Sequence, residues 1–209
     1  MTTTKTVMIS KPTTLTGLNK DEIRTLSRID FAKEMHDKLI GELSESSLRL
    51  VPSALDVMID SFTKAIKDKS SVRLKGLGLL NVYHKESRKG ARNVRTQEPA
   101  VVSARWVVSF KRGRSSRARD VFGWSDINEV MYQSIPQLSR DDVAKIHTTF
   151  INIIGEIADG KTRTEFRNFG SFYPSFAKER ARYNPITGEN KITEAKIQIN
   201  FRSYFPDNF

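Results

Sequence analysis

An α+β fold built as two copies of one unit is predicted for this 209-residue chain. Three observations predict it: helical hydrophobic stripes that precede strand-like blocks, the return of that order in the second half, and a glycine-centred motif that recurs there. From Ser53 to Lys69, apolar residues fall at Leu55, Ile59, Phe62 and Ile66, a spacing that lines one face of a helix. A shorter amphipathic run, Ile29 to Leu43, precedes it. Downstream, Val72/Leu74, Val102 and Trp106/Val108/Phe110 alternate as strands do, around a basic, turn-rich middle. In the second half, Ser125 to Leu138 predicts a short helix broken near Pro136. Asp141 to Asp159 predicts a longer one, with Val143, Ile146, Phe150, Ile153/Ile154 and Ile157 on one face. The strand-like blocks TRTEFRNFGSFYPSF and AKIQINF follow, separated by AKERARYNPITGENKIT.

Setting LKGLGLLNV on FRNFGSFYP places Gly78 on Gly170, Leu77 on Phe169 and Leu80 on Phe172. Past the basic middle, Val94 falls on Pro185 and Phe110 on Phe201, so the first copy holds one extra residue, assigned to Ala91. This is an internal duplication. The halves divide as an N-terminal extension (1–26), repeat one (27–119), a linker (120–124) and repeat two (125–209). Neither stripe-and-strand set closes a core alone. The copies are therefore expected to pack as a pseudo-two-fold unit that buries Leu77, Leu80, Phe110, Phe169, Phe172 and Phe201.

Composition narrows the function. Lys and Arg number 35 against 24 acids, for a net charge of +11, which favours a polyanionic partner such as nucleic acid and also suits an anionic membrane surface. There is no Cys, so disulfides and thiolate metal sites are excluded. The longest apolar run near the N-terminus, Val7-Met8-Ile9, is too short for a signal-peptide core or a membrane span. The reading is a non-secreted, cytoplasmic protein with no membrane partner.

GEIADGKT, residues 155–162, matches the pattern of a phosphate-binding P-loop. That loop needs a strand before its glycines and a helix after them, so that backbone N–H groups converge on phosphate. Here a helix precedes and a strand follows, and Gly160 sits where a glycine ends a helix. His36, His84 and His147 show no ligand spacing and are expected at surface or boundary positions. Gly76 and Gly78 mark a tight turn between strands, and Asp141/Asp142 complement a helix dipole. No enzyme activity, small-molecule substrate, cofactor or metal is assigned.

The positive charge is concentrated. Between Tyr83 and Arg119 there are eleven Lys/Arg against two acids, and the matching stretch Tyr173–Arg202 has six against three. Phosphate contact is the simplest use of such segments. The candidate DNA-binding residues are Lys85, Arg88, Lys89, Arg92, Arg95, Arg105, Lys111 and Arg112 in repeat one, and Lys178, Arg180, Arg182, Lys191 and Lys196 in repeat two.

At FRNFGSF, ARYNPITGE and INF in repeat two, and at LKGLGLL, RKGARN and SFKRG in repeat one, the chain resembles the HU and integration host factor family of bacterial and phage DNA-bending proteins. The resemblance implies two N-terminal helices per repeat, a three-stranded antiparallel sheet, and an extended β-arm that enters the minor groove of double-stranded DNA behind an apolar wedge. The wedge positions it implies are Val94 and Pro185. Family members are dimers of one-repeat chains, so this chain resembles a fused pseudo-dimer. It departs from the pattern in having Val94 in place of a wedge proline, and Asn168 in place of the first turn glycine. It also stops short of the C-terminal helix that repeat one can form from Arg114 to Phe122. A second reading follows from these departures: a phage virion component, ring or connector, that uses the fold to grip other virion proteins.

Overall fold

The computed structural model describes residues 23–92, 95–113, 121–183, 188 and 190–205. The chain runs through β1 (Arg24–Leu26), α1 (Arg28–Leu39), α2 (Glu45–Leu48), α3 (Val51–Lys67), β2 (Ser71–Leu74), β3 (Gly78–Lys85), β4 (Arg88–Arg92), β5 (Pro99–Val102) and β6 (Arg105–Arg112). The second pass follows: β7 (Val121–Phe122), α4 (Trp124–Ser134), α5 (Arg140–Glu156), β8 (Thr162–Phe166), β9 (Gly170–Ala177), β10 (Arg180–Tyr183), β11 (Asn190–Thr193) and β12 (Lys196–Ser203). No described helix is long and apolar enough to cross a membrane.

Local chemistry sets the helix ends. Ser27 and Ser139 cap α1 and α5, and each forms a reciprocal capping box with Asp30 or Asp142. Gly123 at the same place before α4 has no side chain, but its N–H donates to the Asp126 carboxylate at 2.8 Å. After α5 a 3₁₀ turn ends at Gly160 in the left-handed region (φ 80°), and β8 begins two residues later. The GEIADGKT segment is thus the exit of a helix.

Each repeat contributes an antiparallel core sheet, and each sheet gains a fourth strand beyond the three expected. The orders are β6-β3-β2-β7 and β12-β9-β8-β1. The added strands are exchanged: β1, which precedes α1, pairs parallel with β8, and β7, which precedes α4, pairs parallel with β2. Residues 24–26, which the sequence assigns to the extension, are therefore part of the fold, and Leu26 is only 1 % exposed. Val121 and Phe122, read on sequence as the end of a helix, are strand instead. The unpaired edge of β2 offers them backbone partners, and a β-branched and an aromatic residue suit the pleat. Residues 114–120 of that expected helix lie outside the described residues.

The turn glycines follow from close approach. A Cβ at Gly78 would collide with the Lys111 carbonyl, and one at Gly170 with the Phe201 ring. Asn168, where repeat one has Gly76, adopts φ 65° against 85° for that glycine. Asn is among the side chains best able to take this left-handed conformation, so the missing glycine leaves the turn unchanged.

The helices and one face of each sheet enclose a single hydrophobic core drawn from both repeats. Phe31 of α1 lies 5.4 Å from Phe150 and 5.1 Å from Phe166, both in repeat two, and Phe62 lies 5.9 Å from Phe169. Of the expected core residues, Leu80, Phe169, Phe172 and Phe201 are buried, while Leu77 and Phe110 are half-buried against the same cluster. Across the surface seam, Lys38 pairs with Glu156 at 2.6 Å and Ser47 donates to Asp142 at 3.1 Å.

His147 is a correction. Expected at a surface or boundary, it is fully buried on α5, where repeat one carries Leu55. Its Nδ1 lies 2.6 Å from Asn128 Oδ1, and its ring stacks on Trp124 at 3.8 Å. Burial, aided by the Lys75 charge, pushes its pKa down to about 3.

Candidate nucleic-acid interface

Each arm grows out of a core hairpin. β3 and β6 pair over eight successive positions, from Gly78↔Arg112 to Lys85↔Arg105, and the ribbon continues as β4 and β5. In repeat two, β9 and β12 pair over eight positions and continue as β10 and β11 in one unbroken register, from Arg180↔Thr193 to Tyr183↔Asn190. The extra residue of repeat one is absorbed as a bulge between Arg88 and Ala91, where Gly90 takes φ 83°. The sequence assigns that residue to Ala91. The bulge sits just before it because only glycine adopts the required left-handed backbone without a Cβ penalty.

The candidate cations separate into two groups. Lys85, Arg88, Lys89, Arg92 and Arg95 are exposed along arm one, and Lys178 and Arg180 along arm two. Arg182 and Lys191 are register partners on arm two, while Arg105 and Lys196 open β6 and β12 where arm meets sheet. Lys111 and Arg112 are exposed but stand apart, at the opposite end of β6 and opposite Leu79 and Gly78. Six residue steps along the strand, about 20 Å, separate Lys111 from Arg105. Val94 and Pro185 lie outside the described residues.

Charge is set against charge at the foot of arm one, where Lys85 and Arg105 are directly opposed. Beside them, Trp106 packs edge-on to His84 at 5.3 Å, and Lys69 Nζ lies 5.2 Å from its ring centroid. Among the helices, Arg28, Lys38, Arg140 and Lys145 are paired with acids.

Several residues escape a reading based on charge runs. With Val72, Leu74, Leu80 and Val82 turned to the core, strand alternation puts Arg73 and Tyr83 on the sheet face away from the helices. Arg163 and Tyr173 take that face in repeat two, as does Arg202, which the charge run already counts, while Thr164, Phe166 and Phe172 point inward. Period-two alternation around the buried residues is the sequence signal for them. The arms also expose apolar side chains, Val101, Tyr183 and Ile192, at 68 %, 65 % and 61 %. Nothing in composition singles these out, because an apolar residue in a strand is ordinarily a core residue.

The family model for bacterial DNA-binding protein matches twice in tandem, over residues 26–119 and 125–204. Integration host factor subunit alpha from Caulobacter sp. (strain K31) is 32 % identical over 95 residues, covering 46 % of this chain and 89 % of that protein. The same subunit from Vibrio vulnificus (strain YJ016) is 31 % identical over 94 residues, covering 45 % of this chain and 93 % of its own length. A chain of an Anabaena HU–DNA cocrystal structure is similar over 38 % of this chain and 88 % of that chain, with 20 % identity and a TM-score of 0.29.

Proposed function

The chain belongs to the bacterial DNA-binding protein family, with two family units in tandem, and we propose that it is an architectural protein that binds and bends double-stranded DNA with its two β-arms. The observation that carries the reading is the pair of equivalent ribbons that extend from the two core sheets, along which Lys85, Arg88, Lys89, Arg92, Lys178 and Arg180 are exposed. Such a ribbon is stabilised when phosphates lie against it. The exposed Val101, Tyr183 and Ile192 supply apolar contacts of the kind that minor-groove architectural proteins, this family among them, press against sugars and base steps. The protein acts where bacterial or phage DNA is found, in the cytoplasm.

The tip residues divide the work. Proline has a compact apolar ring, a fixed φ and no N–H to leave unpaired, so Pro185 is the stronger wedge. Val94 has a backbone N–H that proline lacks and is flanked in sequence by Arg88, Lys89, Arg92 and Arg95, so arm one contributes more to charge neutralisation. The bend is therefore asymmetric, sharper at the Pro185 arm.

The test is duplex binding across ionic strength. If arms and sheets neutralise roughly 6 to 10 phosphates, affinity falls by about 10³ to 10⁵ between 50 and 200 mM salt. No binding at low salt, or a flat salt response, refutes the reading and leaves protein–protein assembly as the use of the fold.

A further inference from the structure

The two arms grow from equivalent strands, but their faces do not carry the same chemistry. Each ribbon keeps the register of its sheet at the root: Lys85↔Arg105 is followed by Arg88↔Val102, as Ala177↔Lys196 is followed by Arg180↔Thr193. Val82 and Phe172 point to the core. Alternation from them puts Arg88, Arg180 and, by register, Arg182 and Lys191 on the helix side of the ribbons, and Val101, Tyr183 and Ile192 on the face away from the helices. Arg88 and Arg92 are four residues apart and would share a face in a regular strand. The bulge between Arg88 and Ala91 breaks that alternation, and Arg92 pairs with Pro99 on the face of Val101. The equivalent rung of arm two is Tyr183↔Asn190, which has no cation. On the face away from the helices, arm one therefore exposes Arg92 and Val101 where arm two exposes Tyr183 and Ile192.

We propose that this difference orients the chain on DNA, with arm one over a narrow, A·T-rich minor groove and arm two over a wider, more readily deformed step. The inference rests on the DNA-binding reading above. A duplex held between the arms meets the sheet face away from the helices, because the helices cover the other face. A narrow minor groove concentrates negative potential and draws in a guanidinium, which Arg92 supplies on that face. Tyr183 and Ile192 bring bulk without charge. They gain most from sugars and partly unstacked base steps, which a widened or kinked groove exposes. Arm two keeps Arg180 on its other face, so it holds phosphates without placing a cation at this rung of the groove-facing side. The bulge thus acts as a specificity device: it turns one arginine of arm one toward the groove and leaves arm two without an equivalent.

The experiment uses the full chain, which has no cysteine of its own. Glu98→Cys, exposed just before β5 on arm one, carries an iron chelate that cleaves the DNA lying beside it. The probe duplex has an A·T run on one side of its centre and a mixed G·C sequence with a TG step on the other. Cleavage is expected to be at least about tenfold stronger in the A·T half. Arg92→Tyr and Tyr183→Arg each make the arms alike at this rung, and each should bring cleavage of the two halves to within about twofold. Both positions are exposed on the ribbons, outside the shared core. Equal cleavage of the halves by the chain with both residues intact, a preference for the G·C half, or a bias that survives either substitution overturns the proposal while duplex binding persists. Loss of all duplex binding and cleavage would instead overturn the DNA-binding reading, and this proposal with it.

Discussion

Leu26→Ala tests the exchanged strand, because residue 26 reads as the end of an extension and is, in the fold, a core residue of the opposite repeat's sheet. Leu26 is 1 % exposed, paired with Thr164, and belongs to the hydrophobic cluster shared by both halves. Truncating a buried leucine costs the transfer of its lost methyl and methylene groups plus the cavity left behind, about 2–5 kcal/mol. For a chain of this size each kcal/mol lowers the melting temperature by roughly 2–4 °C, so a mid-range loss of about 3 kcal/mol predicts a drop of roughly 6–12 °C. The assay is urea and thermal unfolding, followed by circular dichroism and by fluorescence from Trp106 in the sheet of repeat one and Trp124 at the start of α4. Because one core spans both repeats, both probes should report the same shifted, single transition. A loss under 1 kcal/mol, or a transition in which the two halves separate, would refute the shared core and the structural role of β1.

Other perturbations probe other parts of the molecule. His147 stays neutral in the fold down to about pH 3 but titrates near 6.5 when unfolded, so the unfolded chain binds the extra proton and stability falls as pH drops through that window. At pH 4.5 the loss should be about 2–3 kcal/mol relative to pH 7, and urea midpoints should show His147→Leu reducing that dependence. Gly170→Ala should destabilise by about 1–3 kcal/mol, since its Cβ would meet the Phe201 ring and the Arg202 carbonyl; an unchanged melting temperature would show that the β9–β12 approach is looser. In energy transfer on end-labelled duplexes, Pro185→Ala should reduce bending markedly and Val94→Ala little. Equal losses would indicate two equivalent wedges, and no loss from either would mean that the tips do not insert.

The duplication, the helix–helix–strand order and the basic hairpins are local properties, and they were legible in the sequence. Stripes such as Leu55, Ile59, Phe62 and Ile66 record one buried helix face, and charge runs record where the chain is solvated. Turn chemistry was also readable: a glycine at position 78 or 170 and an Asn at 168 are what close approach and a left-handed backbone demand. Tertiary structure decided the rest. That residues 24–26 and 121–122 cross to the other repeat's sheet depends on which strand edges are left unpaired once the halves meet, and a three-residue segment carries no periodicity to announce it. His147 lies inside, where Leu55 lies in the first repeat, because Asn128 and Trp124 from another helix meet it there. The division of the cations into arm and sheet-end groups, with Lys111 and Arg112 far from the arm, was likewise a matter of register, since residues near in sequence lie far apart along an extended strand. Local preference can be read from neighbours in the chain, but pairing and burial belong to surfaces that exist only after distant segments have packed.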